Sequence, residues 1–145
     1  MAYIKEEVKT RMKRPNRTQN GFAGSRILVV DDNHKIMVSV SLMLEALGFE
    51  VDTANCGAAA LNCLNRFSYD AVLTDFEMPG MMGDALAAKI RKKWPGTGVV
   101  VMTGMSHDEM EDCGENGAAG NWIFKPFNIN DLGTTMNKVF RSDYN

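Results

Sequence analysis

Five side chains carry the chemistry this sequence can do: the adjacent pair Asp31 and Asp32, then Asp75, Thr103 and Lys125. Each follows a short apolar run: ILVV before Asp31, AVLT before Asp75, VVVM before Thr103 and WIF before Lys125. If those runs are parallel strands of one sheet, all five groups lie along a single edge. Three carboxylates brought within a few ångströms repel one another and raise each other's pKa, unless a cation sits among them. A hard, oxygen-seeking ion, Mg²⁺ or Mn²⁺, answers that problem. Such an ion uses one or two carboxylates, waters and a phosphate oxygen. Opposite the metal, an ammonium and a hydroxyl can neutralise and hydrogen-bond the oxygens of a phosphoryl group in transfer. A carboxylate is itself a competent phosphoryl acceptor.

Taken singly, the same residues have blander uses. An aspartate at a strand end caps the next helix, a threonine there bonds to backbone, and a lysine is a solvated charge. His34 and His107 stand beside expected helix starts and read as exposed polar residues. Met78, Met81 and Met82 read as loop and core filler. What separates the readings is whether the chain forms parallel strands.

The pattern along the chain says that it does. Arg26 to Val30 (RILVV) is a short β-branched run, expected as a strand buried on both faces. Ile36, Val40, Met43, Leu44 and Leu47 follow a helical repeat, and Gly48 stands at the left-handed cap position. Glu50 to Ala54 is a second strand, Gly57 to Asn65 a helix with Leu61 and Leu64 inward, and Ala71 to Thr74 a third strand. Met82, Leu86 and Ile90 space a helix that must stop before Pro95. Val99 to Met102 is the fourth strand. Ser106 and Glu109 have the form of a capping box, opening a fourth helix that ends near Gly114. Ala118 to Phe124 is the fifth strand, and Ile129, Leu132, Met136 and Val139 mark a fifth helix with Asn128 as its cap. Five β-α units of this kind imply an α/β fold: an open, doubly wound parallel sheet with helices on both faces. Five strands fit the flavodoxin-like order 2-1-3-4-5, which places a ligand beyond the carboxyl ends of strands one and three. No G-x-G-x-x-G turn follows the first strand, so no dinucleotide cofactor is expected.

Composition is consistent with one globular domain. The chain has 145 residues, 45% apolar and 23% charged, near the values of ordinary globular domains. It contains no apolar run long enough to span a bilayer and no secretion signal at its start, so the expected location is the cytoplasm, with no membrane partner. There the three cysteines, Cys56, Cys63 and Cys113, are expected as reduced, buried or half-buried thiols. Residues 1–24 carry a charge of +4, and the whole chain is −2, which leaves −6 on the remainder. The turn-forming stretch from Pro15 to Gly24 divides a basic leader or linker (1–24) from the domain proper (25–145).

With strands and site in place, the chain resembles the receiver domain of response regulators, the two-component signalling modules that include the small chemotaxis regulator. The matching pieces are Val29-Val30-Asp31-Asp32-Asn33, then Leu73-Thr74-Asp75-Phe76-Glu77-Met78-Pro79-Gly80-Met81, then Val101-Met102-Thr103-Gly104, and Phe124-Lys125-Pro126-Phe127. The resemblance implies that Asp75 takes a phosphoryl group from a histidine kinase or a histidine phosphotransfer protein. Asp32 and Asp75 would bind Mg²⁺ directly, Asp31 through water and Glu77 by its main-chain carbonyl. Thr103 and Lys125 would contact the phosphoryl oxygens, and Lys125-Pro126 would be a cis peptide. Catalysis would be confined to the domain's own phosphorylation and dephosphorylation. Output would run to a protein partner through the surface of the fourth helix, fifth strand and fifth helix, with Thr103 and Trp122 as the switch; a homodimer is compatible with this.

Trp122 departs from the family pattern, which has a tyrosine or phenylalanine there; its bulk allows either a moving sensor or a fixed anchor for a partner. Two other functions compete. An aspartyl-phosphate phosphatase would use Glu77, two residues after Asp75, as acid-base group, but leaves Asp31 and Asp32 unexplained. A non-phosphorylated interaction module would not need all five groups. Direct DNA binding is not expected, because no helix-turn-helix follows residue 141.

Overall fold

The computed structural model describes residues 24–106, 108–109 and 121–142. Its strands are β1 (Arg26–Val30), β2 (Glu50–Ala54), β3 (Ala71–Asp75), β4 (Gly98–Thr103) and β5 (Trp122–Phe124); its helices are α1 (His34–Ala46), α2 (Gly57–Arg66), α3 (Gly83–Lys93) and α4 (Ile129–Ser142). All four strand pairings are parallel, and the sheet order is β2-β1-β3-β4-β5. This is the order expected from the strand count. The expected boundary before residue 25, His107, Cys113, most of the helix opening at Ser106, and residues 118–120 lie outside the described residues.

Alternation along the strands builds two cores. On β1, Leu28 and Val30 face α2 and α3, in a cluster with Leu64, Leu86 and Ile90. Ile27 and Val29 face α1 and α4, in a cluster with Val40, Leu44, Leu132 and Met136. Because both faces are covered, β1 and β3 are buried at every position, which is why each reads as an unbroken apolar run. A helical stripe aimed at one face supplies each cover. Met82 and Ile129 depart from that expectation: both are exposed, because Met82 is the N-cap residue of α3 and Ile129 the first residue of α4. Neither has yet turned toward the sheet.

Caps fix the helix ends. Asn33 opens α1, its side chain accepting from the N–H groups of Lys35 and Ile36. Gly48 closes it at φ 100°. Asn128 and Asp131 exchange reciprocal side-chain to N–H bonds at the start of α4, and Ser106 and Glu109 form the expected capping box.

The helix that sets the position of Asp75 is α3. Its first residue, Gly83, donates its N–H to the Phe76 carbonyl at 2.7 Å. A Cβ there would lie 2.3 Å from the Asp75 carbonyl oxygen and 2.8 Å from Phe76 Cα. Only glycine allows this helix to seat against the end of β3. Gly83→Ala is therefore expected to lower stability by about 1–3 kcal/mol in urea denaturation, as overpacking against backbone does. Gly96→Ala, where a Cβ meets nothing within 4 Å, is the control. Equal midpoints for the two variants would show that α3 has room to retreat.

Candidate functional site

Parallel strands deliver their carboxyl ends to one edge, and the expected groups arrive there together. Asp31 follows β1 and Asp75 ends β3; with the exposed Asp32 they offer carboxylate oxygens that all lie within 4.8 Å of one another. Lys125, following β5, reaches across with Nζ 2.7 Å from Asp75 Oδ1 and 4.0 Å from Asp31 Oδ2. The Lys125-Pro126 peptide is cis, as the resemblance implied. Thr103 ends β4, is buried, and its Oγ1 accepts from the Met105 N–H at 3.0 Å. Its carbonyl accepts from the Lys125 N–H at 2.7 Å, so β4 and β5 are tied together beside the lysine.

Glu77 is exposed, and its carboxylate is not in the acidic cluster. The Glu77 carboxylate that a phosphatase would use as acid-base group is thus not part of the cluster. Trp122 is the first residue of β5 and packs against the core cluster that holds Phe76. Its indole is half-buried against Phe76, ring centroids 5.3 Å apart at 57°, and among the described residues its buried Nε1 has no hydrogen-bond partner. His34 is exposed and Cys63 buried; Cys56 is half-buried as the N-cap of α2. All three follow the modest expectations for them.

The cluster is electrostatically incomplete as it stands. Asp31 is 1% exposed; its Oδ1 accepts from the Asn33 N–H at 2.9 Å, but among the described residues its buried Oδ2 has no hydrogen-bond partner. Burial pushes its pKa up from 3.8 to about 6; the Asn33 N–H opposes the rise, and the charge of Asp75 adds to it. A buried, unpartnered carboxylate oxygen facing two further carboxylates is what a hard divalent cation would satisfy. The donor set fits Mg²⁺: oxygen only, with one buried and one exposed aspartate beside the acceptor candidate.

Fold and site together define a doubly wound module with an acidic pocket bridged by a lysine. The comparisons place it: the chain belongs to the response regulator receiver domain family, whose model matches residues 27–137. Among curated proteins it is 31% identical over 127 residues to the transcriptional regulatory protein TcrA of Mycobacterium tuberculosis, covering 88% of this chain and 50% of that one. It is 27% identical over 116 residues to the cell cycle response regulator CtrA of Brucella ovis, covering 80% and 50%. The chain thus spans about half the length of the curated relatives it matches. Among solved structures it resembles the response regulator TrrA of Thermotoga maritima in complex with Mg²⁺ and BeF (36% identity, TM-score 0.71, 79% of this chain and 98% of that one). It also resembles the chemotaxis protein CheY4 of Vibrio cholerae (31%, TM-score 0.72, 81% and 99%).

Two residues of the site were not singled out by sequence reasoning. Asn33 caps α1 and holds Asp31 through its N–H, and Gly83 seats α3 on β3. The first had a signal, an Asn directly before a helical pattern. The second had none, since a close approach between distant segments leaves no local pattern.

The raised pKa of Asp31 has a sign that can be checked. The folded state holds this proton more tightly than the unfolded chain, so the stability it lends is full below about pH 3.8 and is lost as pH rises through about 6. At pH 8 without metal, the ionised group therefore costs up to about 3 kcal/mol. Asp31→Asn keeps an acceptor for Asn33 and removes the charge. In EDTA, urea denaturation should show the variant and the parent nearly equal at pH 4 and the variant more stable at pH 8, with the gap shrinking when Mg²⁺ is added. A parent as stable as the variant at pH 8 in EDTA would show that Asp31 ionises without cost.

Proposed function

We propose that this domain is the phospho-receiver of a two-component phosphorelay, with Asp75 as acceptor. The observation that carries the reading is the convergence of Asp31, Asp32 and Asp75 within 4.8 Å beneath Lys125, which is bonded to Asp75 itself. In the transfer, a carboxylate oxygen of Asp75 attacks the phosphorus of a phosphohistidine on a histidine kinase or histidine phosphotransfer protein. The O–P bond forms as the P–N bond breaks, and the electron pair leaves with the imidazole. Asp31, Asp32 and Asp75, with the main-chain carbonyl of Glu77, would hold Mg²⁺ or Mn²⁺. The bound ion would offset the negative charge of carboxylates and phosphoryl oxygens.

The remaining work falls to the chain's own groups. Lys125 fixes the Asp75 carboxylate before the donor arrives and faces the phosphoryl oxygens after transfer. Thr103 carries a hydroxyl that can donate to one of those oxygens while still accepting from Met105. Attack by water on the phosphorus of the acyl phosphate breaks its bond to the Asp75 oxygen, releasing inorganic phosphate and regenerating the carboxylate, with Glu77 and Met105 flanking the approach. Chemistry is confined to this self-directed turnover. The output is a protein partner met through β5, α4 and the segment after β4, and the domain works in the cytoplasm. TcrA is by its name a transcriptional regulator, and this chain covers 50% of it.

Incubation with acetyl phosphate and Mg²⁺ is expected to add one phosphoryl mass to the parent protein. Omitting the metal, or substituting Asp75→Asn, should abolish the gain in the intact mass. Undiminished labelling of D75N would falsify the site.

The switch proposal is that Thr103 and Trp122 report the phosphoryl group to the partner surface. Phe76 directly follows Asp75, is bonded through its N–H to the Met102 carbonyl at 2.8 Å, and carries the ring on which Trp122 packs. A shift at the acceptor therefore has a packed route to the indole. In a Trp94→Phe protein, saturating beryllofluoride with Mg²⁺ is expected to change the emission and quenching of Trp122. An unchanged spectrum would leave Trp122 as a fixed anchor.

A further inference from the structure

Away from the carboxylates, two adjoining cavities of about 300 Å³ and 270 Å³ open between α2 and α3 and share Lys93 and Trp94. They lie at the opposite edge of the sheet: Tyr69 and Thr97, which line the second, precede β3 and β4, whereas Asp75 and Thr103 end those strands. The floor is apolar, made by Leu61, Leu64 and Trp94; the rim is cationic, made by Lys89, Lys92 and Lys93. Among the described residues, no acidic side chain lines either cavity.

Three observations select an occupant. Residues 25–145 carry a net −6, yet Lys89, Arg91, Lys92 and Lys93 fall within five positions. Basic residues in the last turn of a helix complement its dipole, but that accounts for neither Lys89, a turn earlier, nor the apolar floor. The rim is also held in place: Lys93 Nζ donates to Asn65 Oδ1 at 2.9 Å across the two helices and lies 4.9 Å from the Trp94 ring centroid. A cation already lies against the indole, so that ring is poorly placed to stack a nucleic-acid base. The basic leader of this chain would be repelled, and a bare anion would make no use of Leu61 and Leu64.

We propose that this cleft docks an acidic peptide segment of a partner protein, which inserts one apolar side chain between α2 and α3 while its carboxylates meet the lysine rim. Apolar anchor and charged rim then divide the work of affinity and steering. Being at the far edge, the cleft stays accessible whether or not Asp75 is phosphorylated, and the proposal does not rest on that reading.

The test is a titration of the ¹⁵N-labelled full chain with three synthetic peptides: an acidic one with a single central leucine, the same peptide with serine for leucine, and a lysine-rich one that keeps the leucine. The acidic leucine peptide is expected to shift the Trp94 indole and the amides of Leu61 and Lys93 saturably, and more weakly as salt is raised. The double variant K89E/K92E, altered only at exposed positions, should lose about tenfold in affinity while labelling normally with acetyl phosphate. Equal binding of the serine or lysine-rich peptide would overturn the proposal. So would tighter binding of single-stranded DNA, or shifts that follow protein concentration alone and therefore mark self-association.

Discussion

Repulsion among Asp31, Asp32 and Asp75 is the constraint around which the molecule is arranged. Two unit charges just under 5 Å apart, at the effective dielectric of a protein surface, repel by about 3 kcal/mol, and this cluster holds three. Lys125 offsets part of that through Asp75 but stops 4.0 Å short of Asp31. Asp31 carries what is left: one of its oxygens is unpartnered among the described residues, and burial first, then the charge of Asp75, pushes its pKa up to about 6. A site that is costly when empty and relieved by a divalent cation binds that cation in proportion to the relief. The apolar strands of the two cores offset the part of this cost that Lys125 and the Asn33 N–H leave uncompensated.

Holding the carboxylates together requires backbone that does not yield. The sheet supplies it: β1 and β3, which carry Asp31 and Asp75, are adjacent and buried on both faces. Gly83 then presses α3 against the Asp75 carbonyl, and the Asn33 N–H restrains the Asp31 side chain. A second polar set lies at the far edge of the same strands. Tyr69, buried, donates its hydroxyl to Asp52 at 2.7 Å, and Asp70 accepts from the Arg26 N–H at 2.8 Å. Burial and the neighbouring Asp52 push the Tyr69 pKa up, so the phenol stays protonated and remains a donor. Buried polar groups of this kind are tolerated because each is hydrogen-bonded. Asp31 Oδ2 is an exception among the described residues, as are Ser25 Oγ and Trp122 Nε1.

The strands were legible because burial on both faces leaves a run of apolar residues with a polar group at its end. RILVV followed by Asp31, and AVLT followed by Asp75, carry both element and site in one local pattern. Helix stripes were legible for the same reason, except at their ends: Met82 and Ile129 continue the apolar periodicity but precede the turn that would bury them. Long-range contacts were not legible. Nothing near Gly83 announces that a backbone from another segment lies where its Cβ would be. Neither Tyr69 nor Asp52, seventeen positions apart, signals the other. The Lys125 to Asp75 bond was reachable only through topology, since parallel order alone puts residues fifty apart at one edge.

Topology also decides how a change at Asp75 could travel. Phe76 is the first residue beyond the proposed acceptor, and it is held twice: its N–H to the Met102 carbonyl, its own carbonyl by the Gly83 N–H. Its ring, packed on Trp122, is thus the movable part of a residue whose backbone is fixed. Thr103 is held in a comparable way, by Met105 at the hydroxyl and by Lys125 at the carbonyl. If Asp75 takes the phosphoryl group as proposed, a group that draws in the Thr103 hydroxyl or the Lys125 ammonium would strain the β4–β5 pairing or let the aromatic pair repack. Repacking costs less, because the indole N–H has no hydrogen bond among the described residues to surrender. A ligand shifts such an equilibrium only by its differential affinity for the two packings. In the proposed switch, the coupling available to a partner surface would be bounded by the contacts that Thr103 and Lys125 gain, and the bulk of Trp122 would set how much of that gain goes into making room.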